Sequence, residues 1–172
     1  MPKKILLVPF KGVDLEAVSF LEDKLPSIFN LSTELHSILP LPPAYNPQRG
    51  QYLSFPFLEA LLPLKKEDKL ILGITEVDLY APHLNFIFGQ AAIGRNVAVI
   101  SLFRLHPSFY GLPEDKDLFL ERTLKEAVHE LGHLYGLPHC SNPYCVMHFS
   151  NSIRDTDIKG FNFCEACKKR LK

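Results

Sequence analysis

The chain carries no net charge: 19 Lys and Arg side chains offset 19 Asp and Glu. A neutral chain offers no electrostatic footprint for nucleic acid or for an anionic membrane. No stretch approaches the roughly 18 consecutive apolar residues of a membrane span. The N-terminal apolar run, Ile5 to Val8, is far too short for the core of a signal peptide, and no small-residue cleavage site follows it. Internal repeats and low-complexity tracts are missing. Cysteine is scarce, and all 4 residues fall in one cluster, which leaves none spare as a nucleophile. Reduced thiols and no leader lead to the expectation of a cytoplasmic protein. The basic tail, Cys167 to Lys172, reads as a solvated end. At 172 residues, 47% hydrophobic and 22% charged, the chain is expected to form a single domain with a proper core.

Residues 129 to 139 read His-Glu-Leu-Gly-His-Leu-Tyr-Gly-Leu-Pro-His. His129 and His133 are four apart, so on a helix their side chains stack on one face. Two imidazoles so placed can hold one metal ion, at about 2.0–2.1 Å per Zn–N bond. Glu130 lies about 60° round the helix from His133, so it can face a water on the metal without being a ligand. Gly136 suits the end of the helix, because it takes the left-handed conformation without a Cβ penalty. The chain can then turn back and offer His139 as the third nitrogen. Three protein ligands leave a fourth position for water, the layout of a catalytic zinc site. The pattern H-E-x-x-H-x-x-G-x-x-H is the metzincin signature. The bland alternative is a helix with surface histidines and a coincidental glycine stop.

Cys140 follows His139 directly, and Cys145, Cys164 and Cys167 complete the set. A C-x4-C knuckle followed by a C-x2-C knuckle is the spacing of a closed four-cysteine zinc site. Such a site stabilises the fold and does no chemistry, since no position is left for water. Two disulfides are the competing reading, and they need an oxidising compartment. The expected cofactors are two Zn2+ ions, one catalytic and one structural.

His129 to Cys140, then Cys145, Met147 and Cys164-Glu165-Ala166-Cys167, resemble the archaemetzincins. That metzincin-like family joins the three-histidine motif to a neighbouring four-cysteine motif. Gly73 to Tyr80, Asn85 to Gly89 and Val99 to Leu102 resemble its sheet region. The resemblance implies a zinc metalloprotease acting on peptide or protein substrates, with Glu130 as general base towards a zinc-activated water. It implies a Met-turn at Cys145-Val146-Met147-His148, with the Met147 thioether packed beneath the histidines. It also implies a cleft between a sheet and the active-site helix. An edge strand there, assigned by analogy to Phe86–Ala92, can pair with an extended peptide. The chain departs from some metzincin branches at Phe149, where they carry a tyrosine able to reach the zinc or the oxyanion. Tyr135, Tyr144 and His148 are candidates to replace it by proximity only, and His36, His83 and His106 are given no role. The alternative function is a zinc-stabilised peptide- or protein-binding protein with latent or lost activity. A nucleic-acid-binding zinc ribbon is a weaker third reading, opposed by the neutral charge. The expected state is a monomer with no nucleic-acid or membrane partner.

Patterning predicts an α/β (α+β) chain, a mixed twisted sheet with two main helices. Residues 1–136 are expected to supply the sheet and helices, and residues 137–172 a loop-rich, zinc-stapled part. Strands are expected at Lys4–Phe10, Leu31–Ile38, Lys69–Thr75, Phe86–Ala92 and Val97–Leu105, with a turn at Gly94-Arg95-Asn96. Helices are expected at Asp14–Lys24, Phe57–Leu62 and Asp117–Tyr135. The last has an apolar stripe (Leu120, Leu124, Ala127, Val128, Leu131, Leu134) opposite Arg122, Glu126, His129 and His133. The Pro-rich stretch 40–47 reads as an irregular surface loop, either covering the cleft or lying far from the site.

Overall fold

Ile5, Leu6, Leu7 and Val8 are all buried, in a strand covered on both faces, which is why the run is apolar without alternation. The computed structural model describes residues 1–171. In chain order the elements are β1 (Lys4–Pro9), α1 (Leu15–Phe29), β2 (Ser32–Leu35), β3 (Tyr45–Asn46), β4 (Gln51–Leu53), α2 (Phe55–Leu61), β5 (Lys69–Thr75), β6 (Leu79–Tyr80), β7 (Gly89–Ala92), β8 (Val97–Ser101), α3 (Lys116–Leu134), α4 (Ile153–Ile158) and α5 (Glu165–Arg170). The main sheet has the order β2-β1-β5-β8-β7 and a small sheet the order β3-β4-β6. Every pairing in the main sheet is parallel except that of β7, which runs antiparallel to β8 at one edge.

Alternate residues of β1 enter two cores, as the two-residue period of a strand requires. Ile5 and Leu7 pack with Val18, Leu21 and Leu25 of α1 and Leu124, Ala127 and Val128 of α3. Leu6 and Val8 pack with Phe57, Leu58 and Leu61 of α2. The first core runs on into the C-terminal part through Val146, Met147 and Phe163.

Helix α1 starts where Asp14 caps it, accepting from the backbone N–H groups of Glu16 and Ala17. It runs to Phe29, past the expected end at Lys24, although Pro26 lies inside it. Proline has no N–H to give the carbonyl of Glu22. The Thr33 hydroxyl donates to that carbonyl instead, at 2.9 Å. The strand expected at Leu31–Ile38 is only β2.

The strand expected at Val97–Leu105 stops at Ser101, whose hydroxyl donates to Val77 O at 2.6 Å and accepts from Phe103 N–H at 3.3 Å, turning the chain into a 3-10 segment. Of the strand expected at Phe86–Ala92, only Gly89–Ala92 pairs with β8, while Ile87 bridges back to Leu79. The Pro-rich stretch is not wholly irregular. Tyr45 and Asn46 form β3 against β4, and Leu41 and Ala44 pack on the second core. The C-terminal part expected to be loop-rich carries two short helices, α4 and α5.

Candidate active site

Helix α3 begins at an Asp115 cap and is buried continuously from Arg122 to Gly132. Its end is built by Gly136, at φ 90°. Leu137 N–H bonds back to Gly132 O at 3.0 Å and Gly136 N–H to His133 O at 2.9 Å, the paired bonds of a Schellman motif. The same turn brings Leu137 O to 2.8 Å from His133 Nδ1. So the residue that stops the helix also orients its second histidine. His129 Nδ1 is 2.8 Å from Val146 O, in the segment that follows.

A carbonyl oxygen can only accept, so both Nδ1 atoms carry the hydrogen and both Nε2 atoms keep a lone pair. Burial holds all three imidazoles below their usual pKa, His129 furthest, with the charge of Lys159 adding to its shift. Neutral rings are the form that binds metal. The Nε2 atoms of His129 and His133 stand 3.2 Å apart. Two lone pairs that close repel unless a cation lies between them. A tetrahedral ion at about 2.0–2.1 Å from each nitrogen would space them by about 3.3 Å. His139 completes the cluster, with the three ligand atoms all within 4.8 Å of one another. The residues therefore fit a zinc ion.

Glu130 sits beside them, buried, and its Oε2 has no hydrogen-bond partner among the described residues. Burial, and then the neighbouring Glu126, push its carboxyl well above the usual range. Glu126 is itself raised by burial, and its Oε1 accepts from the Thr156 hydroxyl at 3.3 Å. Met147 is fully buried beneath the helix, and a Cβ on Gly132 would collide with its Sδ. The turn that carries it is locked to the cysteine segment. Cys140 N–H bonds to Met147 O at 3.0 Å, and His148 Nδ1 is 2.8 Å from Cys140 O.

The four cysteines are free thiols whose sulfurs lie within 4.8 Å of one another. Cys140 and Cys164 are 3.8 Å apart, as are Cys145 and Cys167. A disulfide would need about 2.05 Å. Four sulfurs about 2.3 Å from a tetrahedral zinc are about 3.8 Å apart, so this cluster also fits the ion. The backbone N–H of Cys167 lowers the Cys164 thiol, while burial raises those of Cys145 and Cys167.

The histidines open into a cleft of about 500 Å³. One wall is residues 84–91, with Phe86 backed by the Arg104 guanidinium at 4.3 Å from its ring. Arg104 is held in turn by two 2.9 Å bonds to Asp78. The other wall is α3 with Phe149, Ser150, Asn151 and Lys159. None of the residues offered in place of the missing tyrosine lines this cleft. Tyr135 stacks on Phe29, Tyr144 is 71% exposed, and His148 is tied to Cys140. Residues 40–47 do not line it either. Sequence reasoning missed Lys159. Only its spacing from the cysteines could have marked it, and that spacing does not say that it is buried.

Residues 22–172 match peptidase family M54. The archaemetzincin of Pyrococcus furiosus is 48% identical, over 99% of this chain and 93% of its own length. The crystal structure of archaemetzincin from Archaeoglobus fulgidus complexed with malonate superposes with a TM-score of 0.83 at 40% identity, covering 97% of this chain and 99% of that one. A zinc-dependent peptidase from Methanocorpusculum labreanum gives 0.89 at 30% identity, covering 98% and 100%. With that fold and that helix in place, the chain belongs to peptidase family M54, the archaemetzincins, and is a zinc metallopeptidase.

Proposed function

We propose that this chain hydrolyses peptide bonds at one zinc ion held by His129, His133 and His139, and that Cys140, Cys145, Cys164 and Cys167 hold a second, structural zinc. The observation that carries this reading is the 3.2 Å approach of two Nε2 lone pairs beside an unpartnered, buried Glu130 Oε2. Zinc, when bound there, supplies Lewis acidity that acidifies water and polarises a carbonyl.

The chain's own residues do the rest. Glu130 Oε2 takes a proton from the attacking water as the new C–O bond forms, then delivers it to the amine nitrogen as the C–N bond breaks. The outer edge of β7 has no neighbouring strand among the described residues, so its backbone can hold an extended peptide. Met147 supports the histidines from below. Residues 1–172 act as one catalytic unit, with 1–136 supplying the sheet and helices and 137–172 the third histidine, the Met-turn and the structural zinc. Four free thiols fit a reducing compartment, the cytoplasm. The working form is a monomer with peptide or protein substrates and no nucleic-acid partner.

Glu130→Gln tests the reading. The variant is expected to keep its full zinc content by metal analysis and to lose turnover of a peptide library that the parent cleaves and a chelator protects. Undiminished turnover in the variant overturns the assignment of the base.

A further inference from the structure

Lys159 follows directly on α4 and lines the cleft, yet only 1% of it is exposed. Its Nζ donates to His148 O at 2.9 Å and stands 3.5 Å from His129 Nδ1. The second neighbour cannot accept, because that nitrogen carries the hydrogen given to Val146 O. An ammonium has three N–H donors, so two of them have no protein acceptor among the described residues. No carboxylate of those residues lies within 4.0 Å of it. Glu126 shares the cleft, but stands beyond that distance and accepts from Thr156.

A buried ammonium with one hydrogen-bond acceptor, balanced only at longer range by the buried Glu126 and Glu130, is costly. Its side chain lines the substrate cleft. Among the described residues that line it, Lys159 is the only Lys or Arg. The rest of the rim is largely apolar, through Leu84, Phe86, Ile93 and Phe149. The Nζ stands on the Nδ1 side of His129, one imidazole ring from the Nε2 that meets the other histidines. A group that reaches Lys159 therefore belongs to a residue flanking the scissile bond.

We propose that Lys159 is a specificity-determining residue that receives a substrate carboxylate next to the scissile bond, so that peptides acidic at that position are preferred. The inference rests on the peptidase reading above. The carboxylate is an Asp or Glu side chain or a free C-terminus, which are the same chemistry to an ammonium.

Two peptide series test it on the zinc-loaded protein. One moves a Glu/Gln pair through each position on both sides of the cleaved bond. The other compares a free C-terminal carboxylate with its amide. At one position Glu should exceed Gln in kcat/KM by about ten- to hundredfold, the worth of a hydrogen bond to a charged group. A preference confined to the second series identifies the C-terminus as the source. Lys159→Met should collapse the ratio towards one, whatever it does to the rate on the Gln peptide, and Lys159→Arg should restore the ratio. A merely structural lysine would lower both peptides alike.

Calorimetric binding of the same peptide pairs to Glu130→Gln protein gives a readout without turnover, and Lys159→Met should erase the difference there too. Where the methionine variant does not fold, the parent's ratio still decides. Equal use and equal binding of carboxylate and neutral peptides at every position overturns the proposal, as does a preference that survives Lys159→Met. Failure to cleave any peptide counts against the peptidase reading instead, and the binding ratio then still decides the role of Lys159.

Discussion

Gly89 and Glu130 meet so closely that a Cβ on Gly89 would lie 2.9 Å from Glu130 Cγ, and equally close to Val99 O. The edge strand of the cleft thus rests on the side chain proposed to move the proton. Gly89→Ala must push β7 away from β8 or swing Glu130 aside. Small displacements of a reacting group are expensive, on the order of a hundredfold in rate for 1 Å. The expected outcome is a loss of about ten- to hundredfold in kcat/KM with zinc content unchanged. Equal kinetics in the variant and the parent would show that the contact relaxes freely.

Thr33 stands where Pro26 leaves a carbonyl without its helical donor. Thr33→Val keeps the shape and the β-branch but removes the hydroxyl. The bond is part-buried, so water can take the hydroxyl's place and the loss is the net worth of one hydrogen bond, about 0.5–1.5 kcal/mol. The midpoint of urea unfolding should fall accordingly, with catalysis unaffected because α1 does not line the cleft. An unchanged midpoint would mean that Glu22 O finds another donor.

That bond also shows where the sequence stops being readable. Lys69–Thr75 is recoverable to the residue because β5 is buried on both faces and its run is apolar. The ends of α3 are recoverable to within one residue because Asp115 and the Gly136 turn are local signals. Helix α1 is misjudged at its end, since the cure for Pro26 comes from β2. The three histidines and four cysteines are legible because metal ligation imposes fixed spacings, and the structure brings each set together. Lys159 is not, and Glu126, which the helix pattern does place on the histidine face, gives no sign in the sequence that it is buried. Their burial arises only when α4 packs on α3, as in the 2.8 Å bonds from Arg122 to Asp157. Proximity in sequence was the sole ground for considering Tyr135, Tyr144 and His148, and none of them lines the cleft: Tyr135 stacks on Phe29, Tyr144 is exposed and His148 is tied to Cys140.

Gly132 has no side chain because Met147 occupies the place of its Cβ. On propensity alone, Gly132→Ala should stabilise a helix interior by about 1 kcal/mol. Here the alanine methyl would collide with the Met147 sulfur and crowd Phe163 at 3.2 Å. Overpacking typically costs roughly 1–3 kcal/mol, so the sign should reverse and the thermal midpoint should fall. Moving the Met147 segment also moves Val146, whose carbonyl orients His129, so zinc affinity at the histidine site should weaken as well. A variant with a higher midpoint and full zinc would show that Met147 yields without strain.

The two proposed zinc sites should differ in how easily the ion leaves. The cysteine site offers four thiolates and no position for water. The histidine site offers three neutral nitrogens and opens to the cleft. The segment from Cys140 onward brings few large apolar residues of its own, chiefly Val146, Met147 and Phe163, so its order depends on the metal. Mild chelation should release about one equivalent of zinc, stop hydrolysis and leave the circular dichroism spectrum unchanged. Harsher chelation should release the second equivalent and disorder the C-terminal segment. Because His139 and Cys140 are adjacent, loss of the second ion also displaces the third histidine, so readded zinc should then restore activity only as the fold returns. Metal analysis and circular dichroism through one chelator titration check this. The two-zinc assignment does not survive if the cysteine ion leaves first with the fold intact, or if one ion alone is ever bound and the thiols pair as disulfides.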